Sequence, residues 1–186
     1  MMGKISAALL RLFGWSITGD PPVHLAKAVI IVMPHTSNWD FPLGLLVRAA
    51  LGVKVQFIGK HTLFRPPFGW LFRALGGHPV DRSRPNSLVE QTIELFRAHD
   101  EFLLAIAPEG TRKKVERIKT GFYHIAEGAG VPIVMVRFDY GRRRVHFSNP
   151  FFPTGHKAAD MARILDFFRG VAGRHAGLGI DEHTAF

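Results

Sequence analysis

Residues 27–33 read KAVIIVM, and the run stops at Pro34. Six consecutive apolar residues, mostly β-branched, show no alternation, so this stretch reads as a strand covered on both faces. The flanking segments set the architecture. Residues 37–50 have helical character and open at Thr36 or Ser37, either a good N-cap. VKVQFIG (53–59) reads as a strand, residues 61–79 as a loop with a short helix at about 68–75, and SLVEQTIELFRAH (87–99) as a helix. EFLLAIA (101–107) is a strand ended by Pro108, and TGFYHIAEGAG (120–130) a helix closed by Gly128 or Gly130. VPIVMVRFD (131–139) and the more exposed RRRVHFSNPF (142–151) are strands, and residues 156–172 form a last helix. Near the N-terminus GWSITGDPP adds a short strand and turn. Strands alternating with helices predict an α/β fold with a mixed, largely parallel sheet flanked by helices. Ligand sites in such sheets lie beyond the carboxyl ends of strands. His35 and Glu109 each follow a strand end, so both are expected to open into one crevice.

The 186 residues fit a single domain, 1–186, with no linker, repeat or low-complexity tract. There is no cysteine, which excludes thiolate nucleophiles, disulfides and Cys-based zinc sites. Lys and Arg number 24 against 15 Asp and Glu, a net charge of +9 that favours anionic partners: nucleic acid, phosphorylated substrates or an acidic lipid surface. Neither a membrane span nor a cleavable signal is expected, because the apolar stretches are short and Arg11 interrupts the first. Within residues 1–16, Ile5, Ala8, Leu9, Leu12 and Phe13 recur at helical spacing beside Lys4 and Arg11. This is an amphipathic helix that either lies on a membrane or packs on its own domain.

Three segments carry candidate chemistry. In PHTSNWD, His35 and Asp40 are five residues apart. On one continuous helix they would point about 140° apart, so they meet only if His35 lies in the turn before the helix. Pro34 fits such a boundary. Two readings stand: an imidazole whose tautomer a carboxylate fixes, as a general base requires, or a capping aspartate beside an unrelated histidine. The second segment, PEGTR (108–112), makes a tight strand-end turn with Thr111 offering a hydroxyl and Arg112 a forked cation suited to phosphate; a solvated arginine after a simple turn is the other reading. The third runs from Lys60 to Arg82. Gly76 and Gly77 suggest a bend, and Arg82 presents a cation or pairs with Asp81. Of Phe64, Phe68, Trp70 and Phe72, about half are expected in the core.

In order and spacing these segments resemble the glycerolipid acyltransferase family, the one containing 1-acyl-glycerol-3-phosphate acyltransferase. Its His-x4-Asp block corresponds to His35 and Asp40, a second block to Gly76–Arg82 with Lys60 ahead of it, the Pro-Glu-Gly-Thr-Arg block to Pro108–Arg112, and Val-Pro-Ile-Val to Val131–Val134. The resemblance spans about residues 28–136. It implies a glycerol-3-phosphate acyltransferase-like fold. It also implies transfer of a fatty acyl group, from an acyl-CoA or acyl carrier protein thioester, to a hydroxyl of a lysophospholipid such as lysophosphatidic acid. His35 would be the base and Asp40 its partner. Lys60, Arg82, Glu109, Gly110, Thr111 and Arg112 would form the acceptor's phosphate site. No cofactor or metal is implied; there is no Gly-x-Ser-x-Gly elbow and no His-Glu-x-x-His pattern. The setting implied is cytoplasmic and peripheral, on the anionic inner face of the cell membrane. Rival readings are O-acylation of a phosphate-free lyso-aminolipid, or a non-catalytic basic module for membranes or nucleic acid. No helix-turn-helix, zinc finger or RNP signature supports a nucleic-acid partner.

Overall fold

The computed structural model describes residues 2–80, 85–175 and 177–186. Helix α1 spans Met2–Leu12, followed by β1 Ser16–Gly19, β2 Lys27–Met33, α2 Asp40–Leu51 and β3 Val55–Lys60. A 3-10 turn at His61–Phe64 leads to α3 Gly69–Ala74 and β4 Gly77–Val80. Then come α4 Pro85–Ala98, β5 Phe102–Ile106, α5 Gly121–Ala129, β6 Ile133–Asp139, β7 Arg144–Phe147 and α6 Lys157–Phe168. The strands form one seven-stranded mixed sheet in the order β1-β7-β6-β2-β5-β3-β4. The five strands β6, β2, β5, β3 and β4 run parallel, while β7 is antiparallel to β6. All five therefore deliver their carboxyl ends to the same edge.

The uninterrupted apolar run of β2 has a simple cause: it is central and covered twice. Its odd-numbered residues Val29, Ile31 and Met33 pack with Phe96 of α4, Phe122 and Ile125 of α5, and Ile164 and Phe168 of α6. Its even-numbered Ala28 and Ile30 face Leu10 of α1 and Leu43 and Val47 of α2. Burying each large aliphatic or aromatic side chain contributes about 1.5–3 kcal/mol, so the double layer anchors the strand that carries His35.

Two expectations change. Helix α2 opens at Asp40, not at Thr36 or Ser37. The Ser37 amide donates to the Asp40 carboxylate and the Trp39 amide to Ser37 Oγ, so residues 36–39 close into a turn instead of a helical start. The bend at Gly76–Gly77 is followed by a strand: β4 pairs with β3 from Gly77 to Val80. Pro79 fits there because β4 is the edge strand and one side of its ladder needs no donor. Among the four aromatics of 64–72, Phe64 is buried and Phe72 packs edge-on against it at 6.4 Å between centroids, whereas Phe68 and Trp70 are 63% and 70% exposed. Of the two glycines proposed to close α5, Gly130 is the cap, in the left-handed conformation.

Helix α1 packs on α2 through its small face. A Cβ on Gly3 would lie 3.0 Å from the Ala49 carbonyl oxygen, and Ser6 and Leu10 are buried. Ile5, Leu12 and Phe13 of the apolar face, and Met2 beside them, stay exposed. Among the described residues no helix is long and apolar enough to cross a membrane.

Candidate active site

At the carboxyl end of β2 the chain leaves the core through Pro34 and presents His35. His35 Nδ1 lies 2.9 Å from Asp40 Oδ2. With the imidazole before the helix and the carboxylate in its first turn, the five-residue spacing closes the pair. Asp40 is only 4% exposed and holds two further hydrogen bonds. The Ser37 amide donates to Oδ2 at 3.0 Å, and the Tyr140 hydroxyl donates to Oδ1 at 2.7 Å. Burial pushes the Asp40 carboxyl up, but the bonds from His35, Tyr140 and Ser37 together outweigh it and hold it below the usual carboxylate range. Burial and the bond to Asp40 move the Tyr140 phenol the other way, well above its ordinary value, so it stays a donor. A carboxylate accepting from Nδ1–H leaves Nε2 as the basic nitrogen.

Glu109 follows β5, the neighbour of β2, and its carboxylate turns inward, not toward an open phosphate pocket. Both oxygens accept from the His35 backbone amide, at 2.8 and 3.1 Å, and the residue is 4% exposed. Burial pushes its carboxyl up to about 7; the bond from the His35 amide pulls it back in part, and the nearby Asp40 charge adds to the rise. The loop carrying His35 is thus tied to two strand ends, by Glu109 after β5 and by Tyr140 after β6.

In the rest of the PEGTR turn Pro108 is buried, Thr111 half-buried, and Gly110 and Arg112 exposed. Gly110 has φ +66°, a left-handed conformation that other residues adopt only with strain, and a Cβ there would lie 2.8 Å from Lys119 Nζ. Thr111 Oγ accepts from the Lys113 amide at 3.3 Å, and the Arg112 side chain is exposed. Lys60 ends β3, two strands from β2 in the sheet order, or about 10 Å at the usual strand spacing. Arg82 lies outside the described residues.

Beside His35 is an open depression of about 350 Å³, lined by Thr36, Ser37, Asn38, Trp39, Arg112, Arg174 and His175. A second depression, about 360 Å³ and lined by Lys114, Val115, Glu116, Asp181 and His183, shares none of these residues, and its Lys114 is paired with Asp181. Arg112 and residues 36–39 of the histidine loop thus line one depression. Tyr140 and Arg174 escaped the sequence reading. Tyr140 follows a strand that reads only as core, and Arg174 sits in the glycine-rich stretch GVAGRHAGLG, which has no periodicity. The one available signal was that VPIVMVRFDY ends at the same sheet edge as KAVIIVM.

The acyltransferase family model matches residues 15–139, a span that includes His35, Asp40, Lys60 and Glu109–Arg112 but stops short of Tyr140 and Arg174. The chain is 31% identical to the 1-acyl-sn-glycerol-3-phosphate acyltransferase of Streptococcus pneumoniae, over 70% of its own length and 51% of that protein's. It is 39% identical to the enzyme of the same name from Cocos nucifera, over 72% of this chain and 45% of that one. It therefore spans about half the length of these curated relatives. The 1-acyl-sn-glycerophosphate acyltransferase of Thermotoga maritima superposes with a TM-score of 0.53 at 18% identity, covering 87% of this chain and 72% of that structure, which shows a shared fold. With two-thirds of its residues inside the matched span and the spaced blocks in order, the chain belongs to the acyltransferase family.

Proposed function

We propose that the chain is one acyltransferase domain that moves a fatty acyl group from an acyl-CoA or acyl carrier protein thioester to the free hydroxyl of lysophosphatidic acid, a step of phospholipid biosynthesis. The observation that carries this reading is the 2.9 Å His35–Asp40 pair standing beside a depression lined by arginines. His35 Nε2 takes the proton of the acceptor hydroxyl as its oxygen attacks the thioester carbonyl. Asp40 stabilises the imidazolium that forms. The tetrahedral intermediate collapses, the carbon–sulfur bond breaks, and the imidazolium returns its proton to the departing thiolate. The donor is already activated, so neither a covalent enzyme intermediate nor a cofactor is required. Arg112, with Lys60 and Arg82 as further cations and Gly110 and Thr111 shaping the turn, would hold the acceptor phosphate. Glu109 would act from beneath, by fixing the His35 backbone.

The exposed apolar face of α1 and the +9 charge support a peripheral position on the anionic inner face of the cell membrane. Phe68, Trp70 and Leu71 of the α3 segment are exposed too. The Arg48 guanidinium of α2 donates to the Leu75 carbonyl at the end of α3, so α2 adjoins α1 on one side and the end of α3 on another. The pure protein incubated with labelled acyl-CoA or acyl carrier protein and a panel of lysolipids tests the reading. Phosphatidic acid formed from lysophosphatidic acid, with release of free thiol, is the expected product by mass spectrometry. Acylation of a phosphate-free lyso-aminolipid in its place would reassign the acceptor, and no thiol release with any acceptor would leave a binding module.

A further inference from the structure

The stretch after α6 lies outside the family match, yet it is built into the site. Val171 is buried, and the Ala172 carbonyl accepts from the Tyr140 amide at 2.8 Å. Gly173 passes so close to the histidine loop that a Cβ there would lie 2.7 Å from the Thr36 side chain and 3.3 Å from Pro34. The His175 amide donates to Thr36 Oγ1 at 3.4 Å. Between these fixed points Arg174 projects over the Trp39 ring, 5.5 Å from its centroid, and 5.9 Å from that of Tyr140. Two guanidinium groups, Arg112 from the PEGTR turn and Arg174 from this stretch, therefore line one depression together with Thr36, Ser37, Asn38 and His175. No carboxylate is among the lining residues, so the walls offer donors and positive charge.

We propose that Arg174 is a substrate-binding residue, the second arm of an anion site that grips a phosphate monoester jointly with Arg112. A fork held over an aromatic ring is pre-oriented, and guanidinium is the cation suited to two oxygens of one phosphate. The monoester is either the acceptor's head group or the ribose phosphate of a CoA donor. The proposal rests on the acyltransferase reading above, and it adds a binding residue from sequence that the family model does not reach.

The test uses the full chain with Arg174→Gln, Arg174→Lys and the double variant with Arg112→Gln. Losing one charge-assisted bond raises the KM of the phosphate-bearing substrate about tenfold, with a smaller fall in kcat. Arg174→Lys restores part of the loss, and the double variant falls short of the product of the single effects because both cations hold one phosphate. A raised lysophosphatidic acid KM with unchanged acyl-CoA KM assigns the site to the acceptor; the reverse assigns it to the donor. Glycerol 3-phosphate titrated by calorimetry or NMR reads the site without turnover and should bind the Gln variant about tenfold more weakly. Were the wild-type protein to bind glycerol 3-phosphate but leave lysophosphatidic acid unacylated, the proposed reaction would fall and the anion site would stand. Unchanged KM values and unchanged glycerol 3-phosphate binding in Arg174→Gln would overturn the site, as would a lowered melting temperature with both substrates affected alike, which marks a residue that only braces the loop on Trp39.

Discussion

Asp40 accepts from three donors that reach it from different parts of the chain: His35, Ser37 and, a hundred residues later, Tyr140. The arrangement orients one oxygen at the imidazole and occupies the other. His35→Ala should lower turnover about 10²–10⁴-fold with the melting temperature little changed, the loss expected for a positioned general base. Near-normal rates in that variant would move the chemistry elsewhere. Tyr140→Phe removes one of the bonds that lower Asp40, so its carboxyl should rise and the acid limb of the rate profile shift to higher pH. A fall of about tenfold in kcat at unchanged acceptor KM is expected, the effect of losing one hydrogen bond to a charged group. An unaltered pH profile would make the phenol a packing residue only. Spacing and Pro34 allowed His35 and Asp40 to meet but left a capping aspartate also open, and only the ordered blocks of the family resemblance singled out the pair. Tyr140 was not legible, since its partner lies across the sheet.

At the scale of elements, apolar pattern identified the central strands because they are covered on both faces, and it missed β4, one of the two edge strands. HPV of β4 carries a histidine that breaks the apolar pattern and a proline, which a sheet tolerates at an edge. The start of α2 was misplaced because Thr36 and Ser37 are good caps in isolation, whereas here the Asp40 carboxylate claims the Ser37 amide. Helix α1 divides the two readings that periodicity left open: it packs on α2 by Gly3, Ser6 and Leu10 and leaves its more apolar side outside. The two faces should therefore respond differently. Leu12→Ser with Phe13→Ser should weaken binding to anionic vesicles at least tenfold, since each buried apolar side chain is worth about 1.5–3 kcal/mol, and barely move the melting temperature. Leu10→Ala should instead cost about 2–5 kcal/mol of stability by leaving a cavity between α1 and the sheet. Vesicle binding insensitive to the Leu12 and Phe13 changes would make α1 purely structural. The electrostatic share of binding should fall with salt, as screening shortens to about 3 Å at 1 M.

Over the whole molecule, the parallel strand order gathers one histidine loop, one buried glutamate and two arginines at a single edge, and the gathering has a cost that pH reveals. Glu109 sits in the core of that edge with its carboxyl pushed up to about 7, from an ordinary value of 4.5 that the unfolded chain regains. Between those two values the folded protein holds a proton that the unfolded chain has lost. Stability from this group is therefore complete below pH 4.5, declines as pH rises toward 7, and changes little above. Asp40 has the opposite sign: its carboxyl is lowered by its donors, so its contribution is present above the unfolded value of 3.8 and lost as pH falls through the folded one. At 1.36 kcal/mol per unit, the Glu109 decline amounts to about 3 kcal/mol at most. Glu109→Gln keeps an acceptor for the His35 amide and carries no charge at any pH. Denaturant unfolding from pH 4.5 to 8 should show the wild-type protein losing stability across this window and the Gln variant staying nearly flat, the two diverging most above pH 7. Glu109→Ala, which leaves the buried His35 amide without its acceptor, should be less stable than Gln at every pH, by about 1–3 kcal/mol. Equal slopes for wild type and Glu109→Gln would mean that Glu109 stays ionised in the folded protein and that its carboxylate, not a shared proton, braces the histidine loop.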